Sequence, residues 1–294
     1  MIRGVVTKIL SGYYYVDTDS GLVCCRARGK LKLDQTSPMV GDQVECELLP
    51  DGNGVLESVL PRKITLQRPA VSNVDQVLIV AALQEPSPNL GLVDRLLVTA
   101  EVLGLRAAVG FNKCDLGTVE EAERLRQIYC PLGYPTVVFS AKEQQGIEQL
   151  RDLLNGQVTV LAGQSGVGKS TLINLLTGGQ RSLVGEVSEK SGAGRHTTRH
   201  VELLALPQPW HGLVADTPGF NRLELPSDLA ADQLDACFPE MAMRGRCRFG
   251  NSCAHLAEPG CAVKAALDKQ QIAPSRYHSY QLLYQELKEA ERRY

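Results

Sequence analysis

The chain has 294 residues, of which 44% are hydrophobic and 22% charged, and its net charge is −2. That length can bury one large core and one or two smaller ones, so two or three domains are expected, and the near-neutral balance excludes a protein that holds nucleic acid by its whole surface. The longest apolar run, VLIVAAL at 77–83, is far short of the roughly eighteen residues a membrane span needs, and the opening MIRGVVTKIL lacks the apolar centre of a signal peptide, so a cytoplasmic protein with no membrane partner is expected.

Residues 1–68 read as short alternating strands, GVVTKIL, YYYVDT, LVCCRAR, QVECELL and VLESVLP, separated by turns rich in Gly, Asp and Asn. Even spacing of this kind predicts a small closed barrel. From about residue 70 the texture changes. VDQVLIVAAL is a continuous apolar run, as in a strand buried on both faces, and GLVDRLLVTAEVLGL after it has helical spacing. RAAVGFN, TVVFSA and VTVLAG are further strands; TVEEAERLRQIY opens with a capping box of Thr118 and Glu121, and GIEQLRDLLN is helical. Strand and helix in alternation predict a parallel α/β sheet over 69–222. In 223–294 no strand pattern persists: SDLAADQLDACF reads as helical, 244–262 is dense in Cys, Gly and Arg, and SYQLLYQELKEAERRY is an amphipathic helix.

GQSGVGKS, from Gly163 to Ser170, matches the phosphate-loop pattern and stands between a strand and the helix STLINLLTG, as that motif requires. Backbone N–H groups of Gly163, Gln164, Ser165, Gly166, Val167 and Gly168 are expected to turn toward phosphate, with Lys169 reaching the β- and γ-phosphates, Ser170 on Mg²⁺ and Thr171 following in the helix. The base is chosen by NKCD, at the end of a buried strand. Asp115 can accept two hydrogen bonds from guanine N1–H and its exocyclic amine, while Asn112 braces the site and Lys113 packs its stem on the ring. At the next strand end, the backbone N–H groups of Ser140, Ala141 and Lys142 are expected to be those that can meet guanine O6. DTPG at 216–219 follows the strand WHGLVA; Asp216 is expected to hold Mg²⁺ through water and the Gly219 N–H to meet the γ-phosphate. Between loop and sensor, Thr198 of EKSGAGRHTTRH is the preferred second Mg²⁺ ligand, with Thr197 as the alternative.

These motifs run in the order base readers, phosphate loop, magnesium threonine, sensor. The usual GTPase order places the base readers last. In a sheet wound on both sides the ordinary chain ends lie close together, so they can be joined and the chain opened elsewhere without moving a strand. The sequence therefore predicts a circularly permuted P-loop GTPase, opened just after the sensor.

The nine cysteines include Cys247, Cys253 and Cys261, which with His255 read C-x5-C-x-H-x5-C. Three thiolates and an imidazole are a tetrahedral zinc set with no open position, so the metal is structural, and a loop-rich segment gains folding energy from it. The other six cysteines lack such spacing and read as core or surface residues.

On these residues the chain resembles the circularly permuted bacterial ribosome small subunit-dependent GTPase A family over nearly its whole length. GKLKLDQTSPMVGDQVE is similar to the family's barrel segment, NVDQVLIVAAL with PNLGLVDRLLVTAE to its domain entry, and CRFGNSCAHLAEPGCAV to its zinc signature. The resemblance implies an oligonucleotide-binding (OB) barrel at 1–68, the permuted GTPase at 69–222 and a helical zinc-binding domain at 223–294. It implies late maturation of the 30S ribosomal subunit by a protein that binds the particle and its 16S rRNA with GTP and leaves after subunit-stimulated hydrolysis; a monomer is expected. For RNA the residues offer Arg26, Arg28, Lys30 and Lys32 with Tyr13, Tyr14 and Tyr15 in the barrel, and Arg244, Arg246 and Arg248 beside the zinc ligands; a solvated basic edge with core tyrosines has the same pattern. Lys169, Thr198, Asp216 and Gly219 are the expected catalytic set. Phe220 stands where a Ras-like enzyme has its water-orienting glutamine, so unaided hydrolysis is expected to be slow. Arg195, His196, Arg199, His200 and Arg222 are local candidates for assistance. A second reading is an RNA-binding module for which nucleotide is only a ligand; Asp115 and the lack of a substrate domain disfavour a P-loop ATPase or small-molecule kinase.

Overall fold

A computed structural model describes residues 1–29, 37–67, 69–179, 201–216, 225–226, 228–242 and 246–292. The chain begins with β1 (Ile2–Leu10), β2 (Tyr13–Thr18), β3 (Gly21–Ala27), β4 (Gln43–Leu48), β5 (Gly54–Val59) and a hairpin of β6 (Thr65–Gln67) and β7 (Ala70–Ser72). Strand and helix then alternate through β8 (Gln76–Ala82), α1 (Leu90–Val102), β9 (Arg106–Asn112), α2 (Val119–Tyr129), β10 (Thr136–Val138), α3 (Ile147–Leu154), β11 (Val158–Ala162) and α4 (Lys169–Leu176). After β12 (Glu202–Ala205) and β13 (Leu213–Asp216) come short 3₁₀ turns and the helices α5 (Ala262–Asp268) and α6 (Pro274–Glu291). Two compact units result. One comprises Met1–Gln76, Ile147–Leu161 and Lys169–Phe220; the other comprises Val77–Gly146, Ala162–Gly168 and Asn221–Tyr294.

In the first unit the barrel closes as expected from the alternating pattern. β1 pairs with β2, β2 with β3, β3 in parallel with β5, β5 with β4, and β4 returns to β1. Every second side chain then points inward, and Val6, Val16, Val23, Cys25, Val44, Cys46 and Leu56 fill the lumen. The Asp42 carboxylate is buried at the barrel rim and fully engaged: Arg62 donates to both oxygens at 2.7 and 2.8 Å, Ser72 Oγ at 2.6 Å and the Met39 N–H at 2.8 Å. A buried charge satisfied in this way holds the β6–β7 hairpin to the barrel without the penalty of an unpaired ion. The same unit carries the sheet β11–β13–β12, parallel between β11 and β13 and antiparallel between β13 and β12. β12 joins β1 at Lys8 and Glu202, whose side chains pair at 3.2 Å.

The second unit holds the strand order β10–β9–β8, with β9 and β10 parallel. All seven residues of β8 are buried, in agreement with its unbroken apolar run. The capping box forms as read: Thr118 Oγ1 accepts from the Glu121 N–H, and the Glu121 carboxylate accepts from the Thr118 N–H. The helix read over SDLAADQLDACF forms as a 3₁₀ helix, Ala231–Cys237. Its buried apolar side chains, Ala231, Leu234 and Cys237, repeat every three residues, the period of 3₁₀ geometry, and Phe238 and Pro239 end it. Around it Phe238, Met241, Val263, Ile272, Tyr280, Leu283 and Leu287 form a core that also takes Val98 of α1.

Through that core runs a buried ionic network. Arg276 of α6 is fully buried, 2.8 Å from Asp94 of α1 and 2.7 Å from Glu240, with its guanidinium 4.5 Å from the Phe238 ring centroid. Tyr129 donates to the same Asp94 oxygen at 3.0 Å. Burial pushes the Asp94 carboxyl above its ordinary pKa, and the Arg276 charge opposes that shift. Among the described residues no helix is long and apolar enough to cross a membrane. Replacing Arg276 with Met leaves two buried carboxylates without their cation, so urea unfolding of Arg276→Met should show a loss of about 3–5 kcal/mol; a midpoint equal to that of the parent chain would contradict the network's role.

Candidate functional site

The base-reading and phosphate-loop stretches meet on one side chain. Asn112, the last residue of β9, is buried, and its amide makes three hydrogen bonds: Nδ2 donates to the Val167 carbonyl at 2.7 Å, while Oδ1 accepts from the Lys113 N–H at 2.8 Å and the Ala141 N–H at 2.9 Å. The amide thus ties three loops together. Lys113 follows with φ of 63°, the left-handed turn that swings the chain into a 3₁₀ turn at Cys114–Leu116, and its ammonium donates to the Glu85 carbonyl. Asp115 accepts from Ser140 Oγ at 2.6 Å. That hydrogen bond is the main reason its carboxyl lies below the ordinary pKa, which keeps it an acceptor at neutral pH. Ser140 Oγ in turn accepts from the Glu143 N–H at 3.1 Å, and the exposed Lys142 pairs with Glu143 at 3.2 Å.

The phosphate loop leaves β11 and passes close to the sheet. Gly163 has φ of 138°, and a Cβ there would stand 2.0 Å from the Val80 carbonyl oxygen, so only glycine fits. Gly168, with φ of 92°, faces Asn112 Nδ2, which a Cβ would approach to 2.5 Å. Gln164 and Gly168 are half-buried, Ser165 and Gly166 are exposed, and Val167 is buried. Lys169 is the first residue of α4, followed by Ser170 and Thr171 on its exposed first turn, and burial lowers the Lys169 pKa. Asp216 ends β13, where the sensor reading placed it. Thr198, its alternative Thr197, Gly219 and Phe220 lie outside the described residues, as do Arg195, His196, Arg199, His200, Arg222, Lys30, Lys32 and Arg244.

The cysteine reading is met by geometry. The ligand atoms of Cys247, Cys253, His255 and Cys261 all lie within 4.8 Å of one another, and all four residues are buried. His255 Nδ1 stands 3.6 Å from Cys247 Sγ and 3.4 Å from Cys261 Sγ, and these two sulfurs are 4.0 Å apart. Tetrahedral zinc with ~2.3 Å bonds to sulfur sets its ligands roughly 3.8 Å apart, so the cluster fits a zinc ion. Sequence reading missed what surrounds these four. Asp235 lies 3.6 Å from His255 Nε2, on the far side of the ring from the sulfurs. Tyr277 and Tyr280 of α6 donate to the carbonyls of His255 and Ala254 at 2.7 and 2.9 Å, and Glu258 accepts from the N–H groups of Ala254 and Leu256. The spacing of Asp235, Tyr277 and Tyr280 carries no signal, because these residues come from outside the ligand stretch. Burial pushes the Cys253 thiol up to about 12, a value that a coordinated cation would reverse.

On the barrel, the Arg26 guanidinium lies 4.7 Å from the Tyr13 ring centroid and donates to its hydroxyl, which joins a basic and an aromatic residue on neighbouring strands. Arg28 pairs with Glu57 at 2.6 Å. Beside the zinc ligands, Arg248 lies 6.0 Å from the ring centroid of the exposed Phe249.

Comparison with known proteins assigns both halves of this arrangement. Residues 59–226 match the RsgA GTPase family model and residues 3–56 the RsgA N-terminal domain. Small ribosomal subunit biogenesis GTPase RsgA of Carboxydothermus hydrogenoformans is 46% identical, with 99% of each chain covered. Its counterpart in Moorella thermoacetica is 45% identical, with 95% of each covered. Among solved structures, YjeQ from Thermotoga maritima superposes with a TM-score of 0.80 at 36% identity, covering 97% of this chain and 98% of its own. YloQ, described as a circularly permuted GTPase, gives 0.80 at 33% identity over 98% of this chain and 96% of its own. The fold is therefore a circularly permuted GTPase with an N-terminal barrel and a C-terminal segment whose Cys/His cluster can hold zinc.

Chelation provides a test of the metal centre. Purified protein should carry about one zinc per chain, and a strong chelator should release it and make the buried Cys247, Cys253 and Cys261 reactive toward a thiol reagent. Reactive thiols in untreated, metal-free protein of native far-UV spectrum would contradict the assignment.

Proposed function

The chain belongs to the RsgA GTPase family, and on that footing we propose that it hydrolyses GTP as a step in late maturation of the small ribosomal subunit, engaging the 30S particle with GTP and leaving after hydrolysis. The observation that carries this reading is the Asn112 amide, which holds the base-reading strand ends and the phosphate loop in one frame. In it Asp115 reads guanine N1–H and the exocyclic amine, and Lys113 covers the ring. The Ala141 N–H is taken by Asn112, the Ser140 N–H by the Gln145 carbonyl and the Glu143 N–H by Ser140 Oγ, which leaves the Lys142 N–H for guanine O6. Gly163, Gln164, Ser165, Gly166, Val167 and Gly168 cradle the phosphates with Lys169 and Thr171; Ser170 and Thr198 hold Mg²⁺, and Asp216 and Gly219 sense the γ-phosphate.

Three domains, 1–68, 69–222 and 223–294, divide this work. The barrel's closed ring of strands supports the first boundary. The particle's 16S rRNA is met by Arg26, Arg28 and Tyr13 to Tyr15 of the barrel and by Arg246 and Arg248 beside the zinc ligands, through phosphate contacts and stacking. The protein acts as a cytoplasmic monomer. Phe220 cannot orient water, and a supplied activating group is worth about 10³–10⁵ in rate, so the subunit provides what the chain lacks.

Turnover by purified protein, alone and with salt-washed 30S or 50S subunits, tests the proposal. A large rise confined to 30S with GTP is expected; a flat rate would leave a guanine-nucleotide-dependent RNA-binding module. Asp115→Asn should move base preference from guanine toward xanthine, and unchanged GTP affinity in that variant would count against the role given to Asp115.

A further inference from the structure

The barrel-bearing unit contains a cavity of about 350 Å³ that the nucleotide and zinc sites do not use. Asp17 of β2 lines it together with Val158 at the start of β11 and Leu206, Gln208 and Trp210 from the segment between β12 and β13. Val158 and Leu206 supply apolar surface, Trp210 an aromatic ring, and Asp17 and Gln208 polar groups. The ring is held in place before any ligand arrives. Its indole N–H donates to Asp152 at 2.7 Å, and the Arg151 guanidinium lies 5.1 Å from its centroid, itself donating to the carbonyls of Leu175 and Leu176. Asp17 is exposed, and its carboxylate pairs with no cation among the described residues.

A second cavity of about 420 Å³ shares Asp17 and adds Thr18, Asp19 and Gln43. Its one cationic residue, Arg3, is paired with Glu45 at 2.9 Å. The two cavities thus combine apolar surface, an aromatic ring, the His211 imidazole and two carboxylates, Asp17 and Asp19. An anionic ligand would be repelled there. A long basic side chain fits each feature, because its methylene stem covers apolar surface while its head reaches a carboxylate beside an aromatic ring. Arg151 already stands over the indole, which directs an incoming cation toward Asp17.

We propose that these adjoining cavities bind an extended peptide rich in Arg or Lys, with one basic side chain along Val158 and Leu206 toward Asp17 and another at Asp19. The two carboxylates favour such a peptide over RNA, whose phosphates would face the same charges. This site goes beyond the GTPase reading and does not rest on it, since its test involves no nucleotide.

Trp210 is the chain's single tryptophan, so its fluorescence reports on this cavity alone. The full-length protein titrated with a hexa-arginine peptide should give a saturable change in that fluorescence, and a hexaglutamine peptide should not. Asp17→Lys should weaken the hexa-arginine complex by about tenfold or more, and Gln208→Glu should tighten it, with thermal unfolding of both variants measured alongside. No saturable response to hexa-arginine overturns the proposal, as does equal affinity in parent and both variants. A saturable response to hexauridine that hexa-arginine cannot compete away would assign the cavity to RNA and overturn it as well.

Discussion

A single buried amide sets the geometry of the proposed nucleotide site. Asn112 spends its donor on the Val167 carbonyl and its acceptor on two N–H groups, from Lys113 and Ala141. Each such bond contributes only about 0.5–1.5 kcal/mol net, but a buried group left unpaired costs about 1–3 kcal/mol. The loops therefore keep the one arrangement in which all three partners are satisfied. Gly168 is required by the same tie, because a Cβ there would collide with the Asn112 nitrogen. The tie also explains how a permuted chain keeps a GTPase site. Its contacts join strand ends across the sheet edge, and they do not depend on which strand the chain visits first.

The C-terminal region applies the same rule to charges and thiols. A segment with short 3₁₀ turns and few large apolar residues orders itself around Cys247, Cys253, His255 and Cys261, and α6 contributes Tyr277 and Tyr280 to hold the carbonyls of that loop. From the same helix Arg276 reaches Asp94 of α1 and Glu240. The helix that steadies the metal loop is thus tied by ions and packing to the helix that follows β8. Replacing a buried ion group by apolar residues of equal volume is often neutral, but removing one member leaves an uncompensated charge in a dry core.

Much of this was legible in the sequence because the signal was local. The phosphate loop, NKCD, the Thr118 and Glu121 capping box and the cysteine spacing each lie within one short stretch, and periodicity identified the barrel strands and the buried β8. Contacts between distant stretches were not legible. Asp94 in GLVDRLLV reads as the polar position of an amphipathic helix, and Arg276 in PSRYHSY as a surface cation, yet both are fully buried. Asp235 has no sequence relation to His255 that marks it as its partner. The segment Ala231–Cys237 reads only as helical, since three apolar positions spaced by three are compatible with either α or 3₁₀ geometry over so short a run. Trp210 and Asp17 come together from regions nearly two hundred residues apart, which no motif encodes.

The claim that Asn112 organises the site is tested most directly by calorimetric GDP titration of the parent protein and of Asn112→Ala. The account predicts GDP affinity lower by about tenfold to a hundredfold, with zinc content and thermal unfolding of the barrel unchanged. Undiminished affinity in a folded variant would contradict it, because the base-reading and phosphate-binding loops would then be held in register by something other than this amide.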